Sequence, residues 1–233
     1  MQVILLTGFL GRPNTFHTQL KCPTKRLKAS VDSVIALSKQ LPNRKIFVAI
    51  TGDNNSYQEF KSLLSGNLCH SGIEFSFFKQ DSADEPFGKG RCEYKLITKA
   101  ISRFKLFRYS QIVKVTIKYS IRYHAMAFKT LRKHEGKAVF GWKYYCDDAI
   151  DTRFYSFKSN IFSKYEHEFL RVDDEKGYYL EHALFKVSKL EGSRPCLFQG
   201  RPIIEGLSGS ENVFIKDAMW KKLLKIILRF LPF

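Results

Sequence analysis

The sequence predicts an α/β fold in which a mostly parallel sheet is flanked by helices, with an amphipathic helix at the C-terminus. Short runs rich in Val, Ile, Leu and Phe alternate along the chain with segments whose apolar residues recur at helical spacing. Continuous apolar runs are typical of strands buried on both faces, as in parallel sheets. Because strand and helix alternate, right-handed crossovers between parallel strands are expected.

The first part of the chain contains three predicted strands and three predicted helices. The strands are apolar runs that end in Gly or polar residues, and they are expected at residues 2–9, 44–53 and 73–81. The helices carry apolar residues on one face, and they are expected at residues 28–42, 56–66 and 90–104. Pro42 and Gly66 end the first two helices, because neither residue favours continuation of a helix.

A fourth strand is predicted in the segment IVKVTIKYSIRY, residues 112–123, which carries Lys114, Lys118 and Arg122 among apolar residues. A ligand rich in phosphate would explain these cations, and so would a solvated edge strand. The remaining pattern predicts a helix, a fifth strand, two further helices and a turn-rich segment, at residues 126–134, 138–145, 159–170, 177–190 and 201–215.

The composition is that of a folded, strongly basic protein. Its 233 residues are 44% hydrophobic, which supplies enough apolar surface for one sizeable core. The 39 Lys and Arg against 22 Asp and Glu give a formal net charge of +17, which favours nucleic acid, an acidic membrane surface or phosphorylated substrates as partners. Since no linker or repeat divides the chain, one domain is expected at residues 1–215, followed by a tail at residues 216–233.

The five cysteines lie far apart, and no two have the CxxC spacing of a zinc ribbon or a redox motif. Free thiols in a reducing compartment are therefore expected. The segment MQVILLTGFLGRP has no basic residue before its apolar run, so it is interpreted as a first strand rather than a signal peptide. Because no apolar run is long enough to span a bilayer, the sequence predicts a cytoplasmic protein, peripheral to the inner face of the membrane.

Three carboxylates follow the fifth predicted strand. They are Asp147, Asp148 and Asp151, and Arg153 comes soon after them. Carboxylates at the end of a strand bind a divalent cation or sugar hydroxyls, and an arginine binds an anion through two hydrogen bonds. The alternative is a loop in which Asp151 or Thr152 caps a following helix.

The helical segment YYLEHALFKVS places Glu181 and His182 beside its buried apolar stripe. Glu181 is a candidate general base, and His182 would bind a phosphate or pair with Glu181. An ordinary pair of surface residues is the alternative.

The segment PIIEGLSGSEN contains Ser208, Gly209 and Ser210. Small residues let backbone N–H groups approach an anion, although a plain tight turn has the same composition. Neither this segment nor the GKG at residues 88–90 has the spacing of a P-loop or a dinucleotide fingerprint, which argues against a kinase or a dehydrogenase.

Residues 217–233 have the clearest amphipathic pattern in the chain. The apolar face holds Trp220, Leu223, Leu224, Ile227, Leu228 and Leu231, and the opposite face holds Lys221, Lys222, Lys225 and Arg229. A basic amphipathic helix at a terminus either lies in an anionic membrane surface or packs against its own domain. Membrane association is the favoured hypothesis.

Five short segments carry a family resemblance. In chain order they are GKGRCEYKLITKAI, IVKVTIKYSIRY, DTRFYSFKSNIF, LEHALF and PIIEGLSGS. They resemble the Gly-Lys-Gly-x-x-Glu helix start, Lys-Ile-Thr-Gly-Arg-Tyr strand, Asp-Thr-Arg-Phe segment, Leu-Glu-His helix and Gly-x-Ser-Gly loop of bacterial GT-A-like glycosyltransferases that assemble lipopolysaccharide and surface polysaccharides. The resemblance covers residues 86–215. It implies a Rossmann-like GT-A domain that transfers a sugar from a nucleotide-sugar donor to a lipid-linked glycan or lipopolysaccharide acceptor.

The resemblance also implies roles for individual residues. Lys118 and Arg122 would hold the donor phosphates, and Glu181 would act as the base. The implied catalytic residues are Glu181 and Asp151, and the implied donor-binding residues are Lys118, Arg122, Arg153, His182, Ser208, Gly209 and Ser210. Gly8, Arg12, Thr15 and Asp53 follow the first two predicted strands, and they are expected to frame the nucleotide because ligands of parallel sheets bind at the carboxyl ends of the strands.

The predicted fourth strand, residues 112–123, lacks the metal-binding carboxylates that many members of the family have there. Many GT-A enzymes carry an Asp-x-Asp metal site at its end, whereas TIKYSIRY has no carboxylate and has Ser120 where the family pattern has glycine. Cations in this stretch would neutralise a donor phosphate without a metal, which is the preferred interpretation. Otherwise Asp147, Asp148 and Asp151 would hold Mg²⁺ or Mn²⁺.

Two other functions remain open from the sequence. A non-enzymatic nucleic-acid-binding protein would use the net positive charge and the many Tyr and Phe residues, but the cations are scattered along an α/β pattern, so nucleic acid is not the expected partner. A metal-dependent phosphohydrolase would use the three aspartates, but the chain lacks the histidine-rich clusters of many such sites.

Overall fold

The computed structural model describes residues 2–10, 22–67, 72–122, 124–143, 148–196, 201–207 and 214–215. Within these ranges the strands are β1 Gln2–Leu10, β2 Ile46–Gly52, β3 Ile73–Phe78, β4 Gln111–Thr116, β5 Tyr119–Arg122, β6 Val139–Lys143, β7 Ile150–Phe157, β8 Ile203–Leu207 and β9 Phe214–Ile215. The helices are α1 Pro23–Gln40, α2 Asn54–Ser65, α3 Lys89–Arg103, α4 His124–Lys133, α5 Ile161–Lys164, α6 Glu166–Phe169 and α7 Leu180–Leu190.

The main sheet has six strands in the order β3-β2-β1-β4-β7-β6. The strands β3, β2, β1 and β4 are parallel to one another, with Leu6 of β1 opposite Val48 of β2 and Val115 of β4. The strand β7 runs antiparallel to both of its neighbours. The predicted α/β class with a mostly parallel sheet flanked by helices is therefore confirmed.

Helices cover both faces of this sheet. Leu5 of β1 belongs to a core that includes Ile97 of α3 and Leu184 of α7, whereas the next residue, Leu6, belongs to a second core that includes Val34 of α1. Successive side chains of a strand point to opposite faces. A strand between two cores must therefore be apolar at every position, which is why these strands are continuous apolar runs.

The predicted fourth strand, residues 112–123, is divided in the structure. Residues 111–116 form β4 in the main sheet, whereas Tyr119–Arg122 form β5, which pairs antiparallel with β8 in a second sheet of order β5-β8-β9. A turn at Ile117 and Lys118 separates the two strands. The prediction of a single strand was wrong because this turn contains no Gly or Pro, and the apolar alternation continues through it.

The segment after the fifth predicted strand was also misinterpreted. Residues 150–157 form β7 in the interior of the main sheet, between β4 and β6. Asp151 therefore lies in a strand, and the alternative in which it caps a helix is wrong. The turn-rich segment at residues 201–215 likewise contains β8 and β9.

The predicted tail, residues 216–233, lies outside the described residues, and so does its boundary with the domain. None of the helices in the described ranges is both long enough and apolar enough to cross a bilayer. Of the five cysteines, Cys22, Cys92 and Cys196 fall within those ranges, and each is a free thiol as predicted.

Candidate active site

A cavity of about 160 Å³ opens at the carboxyl ends of the parallel strands. Open α/β sheets bind their ligands at this edge, because the strand ends and helix starts meet there. The cavity is lined by the ends of β1 and β2, by β4 with the turn after it, and by the N-terminal halves of α1 and α3. The lining includes Thr7, Gly8, Arg26, Thr51, Lys89, Glu93 and Lys118.

The GKG segment brings α3 close to the start of α7. Gly88 has φ +91°, and a Cβ there would lie 2.4 Å from the carboxyl carbon of Asp174. A Cβ on Gly90 would lie 3.1 Å from the backbone nitrogen of Leu180. The Asp174 carboxylate accepts the Lys89 N–H at 2.7 Å. A side chain at residue 88 would collide with Asp174, and one at residue 90 would crowd the start of α7, so glycine suits both positions.

Three cations line the cavity from three different elements. Arg26 comes from α1, Lys89 from the first turn of α3, and Lys118 from the turn after β4. Burial, together with the positive charges of Arg26 and Lys89, lowers the pKa of Lys118 to about 7. Glu93 is the carboxylate among the described lining residues, so the charged side chains of the cavity carry a net positive charge, and an anion bound there would lower the repulsion between the cations. The cavity is therefore electrostatically prepared for an anionic ligand.

Beside the cavity, the fully buried Lys114 of β4 connects several elements. Its Nζ lies 2.5 Å from Glu93 Oε1, and it donates to Thr116 Oγ1 at 2.7 Å and to the Thr152 carbonyl oxygen at 2.6 Å. The Thr7 hydroxyl also donates to Glu93 Oε1, at 2.9 Å. A buried charge is tolerated only when it is paired and hydrogen-bonded in this way.

Glu181, at the start of α7, is linked to the same group of residues. Its Oε1 accepts a hydrogen bond from Thr152 Oγ1 at 2.6 Å. Burial raises the pKa of Glu181, and the negative charge of Glu93 raises it further, against the hydrogen bond from Thr152. A raised pKa makes a carboxylate a stronger base. Glu181 is not among the residues that line the cavity, and its role as a base stays a prediction.

Asp151 holds two arginines. Arg153 donates to its two carboxylate oxygens from Nε and Nη2 at 2.8 and 2.7 Å, and Arg201 Nη2 donates at 3.3 Å. Burial alone would raise the pKa of Asp151, but the hydrogen bonds and charges of the arginines outweigh burial and lower it. A carboxylate held ionised in this way is suited to positioning arginines rather than to exchanging protons.

The predicted metal ligands do not fit a divalent cation where they can be described. Both oxygens of Asp151 accept from arginine, and Asp148 is exposed, with His182 Nε2 3.8 Å from its Oδ1. Asp147 lies outside the described residues. In the part of the chain that the structure describes, no three His, Cys, Asp or Glu side chains are grouped so that they could hold a metal ion.

The remaining predicted site residues have different environments. Gly8 lines the cavity, and a Cβ there would overlap the side chain of Ile117. Asp53 is exposed and caps α2, accepting the Ser56 N–H at 2.8 Å, so it does not line the cavity. His182 caps α7, since its Nδ1 accepts the Tyr179 N–H at 3.1 Å. The side chain of Arg122 and the predicted residues Arg12, Thr15, Ser208, Gly209 and Ser210 lie outside the described part of the chain.

Four residues of the site were not assigned a site role from the sequence: Arg26, Lys89, Glu93 and Lys114. Lys89 and Glu93 belong to the GKGRCE segment that carries the family resemblance, so a signal for them was available. Lys114 was visible only as a cation inside an apolar run. The sequence around Arg26 contains no feature that marks it as a site residue.

The architecture is similar to that of two solved structures. A Bacillus anthracis protein assigned as a glucose-1-phosphate thymidylyltransferase, solved with sucrose, matches with a TM-score of 0.55 and 10% identity over 100% of this chain and 97% of its own. A Desulfovibrio desulfuricans G20 protein assigned as a nucleotide-diphospho-sugar transferase matches with a TM-score of 0.51 and 12% identity over 84% of this chain and 80% of its own. No protein-family model and no curated sequence matches the chain. The chain therefore shares the GT-A-like α/β fold of these two structures, and its cationic cavity lies at the carboxyl edge of the main sheet.

Proposed function

We propose that the protein is a glycosyltransferase that binds a nucleotide-sugar donor in the cavity at the carboxyl edge of the main sheet. The observation that carries this proposal is the convergence of Arg26, Lys89 and Lys118 on one cavity. A diphosphate placed between them would relieve their mutual repulsion. The GT-A-like fold supports the proposal, since the two similar structures are assigned to enzymes of nucleotide-sugar chemistry.

The proposed reaction is a direct displacement at the anomeric carbon of the donor sugar. The Glu181 carboxylate takes the proton of an acceptor hydroxyl, and the hydroxyl oxygen forms a bond to that carbon. The bond from this carbon to the phosphate oxygen breaks, and the nucleoside diphosphate leaves with the electron pair. Lys118, Lys89 and Arg26 stabilise the charge that develops on the leaving diphosphate.

We propose that this transfer does not require a metal. The three cavity cations supply the positive charge that a divalent cation supplies in other enzymes, and the two described candidate ligands, Asp148 and Asp151, are poorly arranged for Mg²⁺ or Mn²⁺. A screen of nucleotide sugars for donor hydrolysis, with and without EDTA, tests both proposals. Hydrolysis that persists in EDTA supports them, whereas hydrolysis that EDTA abolishes contradicts metal independence.

A parallel assay with nucleoside triphosphates and sugar phosphates separates glycosyl transfer from nucleotidyl transfer, the second candidate function. The similarity to the assigned thymidylyltransferase along the whole chain favours this candidate, because such an enzyme also needs a polyphosphate site. Release of nucleoside diphosphate from a nucleotide sugar supports glycosyl transfer. Release of pyrophosphate from a nucleoside triphosphate and a sugar phosphate supports nucleotidyl transfer instead.

Donor binding is expected to take up protons near pH 7. The free Lys118 has a pKa of about 7, mainly because of burial, and a bound diphosphate would raise that pKa towards its ordinary value. Affinity should therefore be highest below pH 7 and fall as the pH rises above it. Calorimetry with nucleoside diphosphates in buffers of different ionisation enthalpy measures the uptake. The uptake should disappear in Lys118→Met; equal uptake in that variant would contradict the assignment.

The proposed acceptor is a lipid-linked glycan or lipopolysaccharide at the cytoplasmic face of a membrane. This part of the proposal is supported by the net charge of +17 and by the basic amphipathic pattern of residues 217–233. Cations near an anionic membrane surface each contribute about 1 kcal/mol to binding.

The tail is expected to bind anionic vesicles. The full chain should sediment with anionic vesicles, less with neutral ones, and less again as salt is raised, because salt screens the lysine charges. Truncation after Ile215 should abolish sedimentation and leave donor hydrolysis intact. A truncated chain that unfolds, or a full chain that ignores all vesicles, would mean that the tail packs against the domain.

A further inference from the structure

A continuous set of hydrogen bonds runs beneath the cavity from β1 to α7. It passes from Thr7 to Glu93, from Glu93 to Lys114, from Lys114 to the backbone of Thr152, and from the Thr152 hydroxyl to Glu181. The five residues come from β1, α3, β4, β7 and α7. Lys114 is the only cation in this set, and it lies between the two carboxylates.

A purely structural role does not account for Lys114. A buried ammonium carries a large desolvation cost, and an apolar residue of similar volume is often at least as stabilising at such a position. The contacts of Lys114 are instead directed at the cavity wall, since Thr7, Glu93 and Thr116 all line the cavity. Lys114 itself is fully buried and cannot touch a ligand.

Charged and titratable groups face Glu181 from three elements packed against it. The Glu93 charge opposes its ionisation, and the Lys114 charge favours it. The Glu181 charge in turn acts on Lys89, which lines the cavity, and on the buried Tyr155. These groups come from α3, β4 and β7, while His182 follows Glu181 on α7 itself.

We propose that Lys114 is a positioning residue for the base. It holds Glu93 and the Thr152 segment in place, and its charge favours the ionised form of Glu181 beside a second carboxylate. Without Lys114, no cation within this hydrogen-bonded set would offset the charge of Glu93 that opposes the ionisation of Glu181. The inference rests on the proposed role of Glu181 and assigns no substrate contact to Lys114.

Two single variants and their combination test the inference. The single variants should shift the acid limb of the pH–kcat profile in opposite directions. Lys114→Met removes the cation, so the acid limb of the pH–kcat profile should move up by about one pH unit. Glu93→Gln removes the like charge and keeps the shape, so the acid limb should move down. The double variant is neutral at both positions and should return close to the unmodified profile. The double variant also remains informative if Lys114→Met alone folds poorly.

Gln111→Met is the matched control. Gln111 is also fully buried on β4 and donates to Ser156 at 2.8 Å, but it lies outside the hydrogen-bonded set. This variant should lose stability and leave the acid limb unchanged. If Gln111→Met moves the limb as far as Lys114→Met does, the effect of Lys114 is structural and the inference is wrong.

A readout without turnover separates this inference from the proposed function. Carbon-13 carboxyl titration of the glutamate-labelled protein reports Glu181 directly, with Glu181→Gln identifying its signal. If the Glu181 carboxyl titrates at the same pH in all variants, the inference is wrong. If the Glu181 titration shifts up in Lys114→Met and down in Glu93→Gln, the electrostatic role of Lys114 is supported. If the protein with these shifts transfers no sugar, the proposed reaction is wrong instead.

Discussion

Replacing Lys118 with methionine is expected to lower kcat/KM for the nucleotide-sugar donor by about two orders of magnitude. Lys118 lines the cavity together with Arg26 and Lys89, and the proposed diphosphate lies among these three cations. Methionine keeps most of the side-chain volume and removes the charge, so the loss reports electrostatics rather than packing. Steady-state kinetics with the donor identified by the hydrolysis screen measures the effect.

The same substitution should not destabilise the fold. Burial and the neighbouring cations depress the pKa of Lys118, so its charge costs stability below about pH 7, and this cost disappears as the pH rises from 7 towards the ordinary lysine value. Thermal unfolding of Lys118→Met at pH 6 to 7 should therefore occur at an equal or higher temperature. Lys129→Met, an exposed site on α4, is the matched control and should keep full activity. Near-normal turnover in Lys118→Met would show that Lys118 does not bind the donor.

Glu181→Gln is expected to reduce kcat by about two to four orders of magnitude while leaving donor affinity unchanged. The amide oxygen of glutamine can still accept the hydrogen bond that Thr152 Oγ1 donates to Glu181 at 2.6 Å. The substitution therefore preserves the local geometry and removes the basic group. Donor affinity from calorimetry and kcat from product formation separate binding from chemistry.

Glu175→Gln is the matched control for this prediction, because it makes the same chemical change at an exposed position. It should leave kcat and donor affinity unchanged. Equal losses of donor affinity and kcat in Glu181→Gln would show a binding or structural role. Unchanged kcat would show that another group accepts the proton.

Most of the fold could be predicted from the sequence because strands and helices in this chain are marked by local patterns. The runs in β1 and β2 are apolar at nearly every position since both sheet faces are covered, and the helices α1, α2 and α3 follow at the expected places. The GKG segment also marked the start of α3, where Gly88 and Gly90 allow the close approach of α7. Each of these features depends on neighbours in the sequence.

The errors concern elements whose position depends on distant partners. In the strand β7 the first residue, Ile150, is followed by Asp151, Thr152 and Arg153, a polar run typical of a loop. These residues are accommodated in the sheet because Arg153 and Arg201 satisfy Asp151, and Lys114 binds the carbonyl of Thr152. The turn at residues 117–118 is similarly set by the pairing of β5 with β8.

The sequence by itself determined the alternation of strands and helices, the excess of positive charge, and Lys118 and Glu181 as candidate site residues. These properties follow from periodicity, composition and short motifs, which are local. Only the tertiary structure decided that Arg26, Lys89 and Lys118 share one cavity and that Lys114 pairs with Glu93. Such groupings arise from the order of strands in the sheet, because parallel strands bring residues far apart in the chain to the same edge.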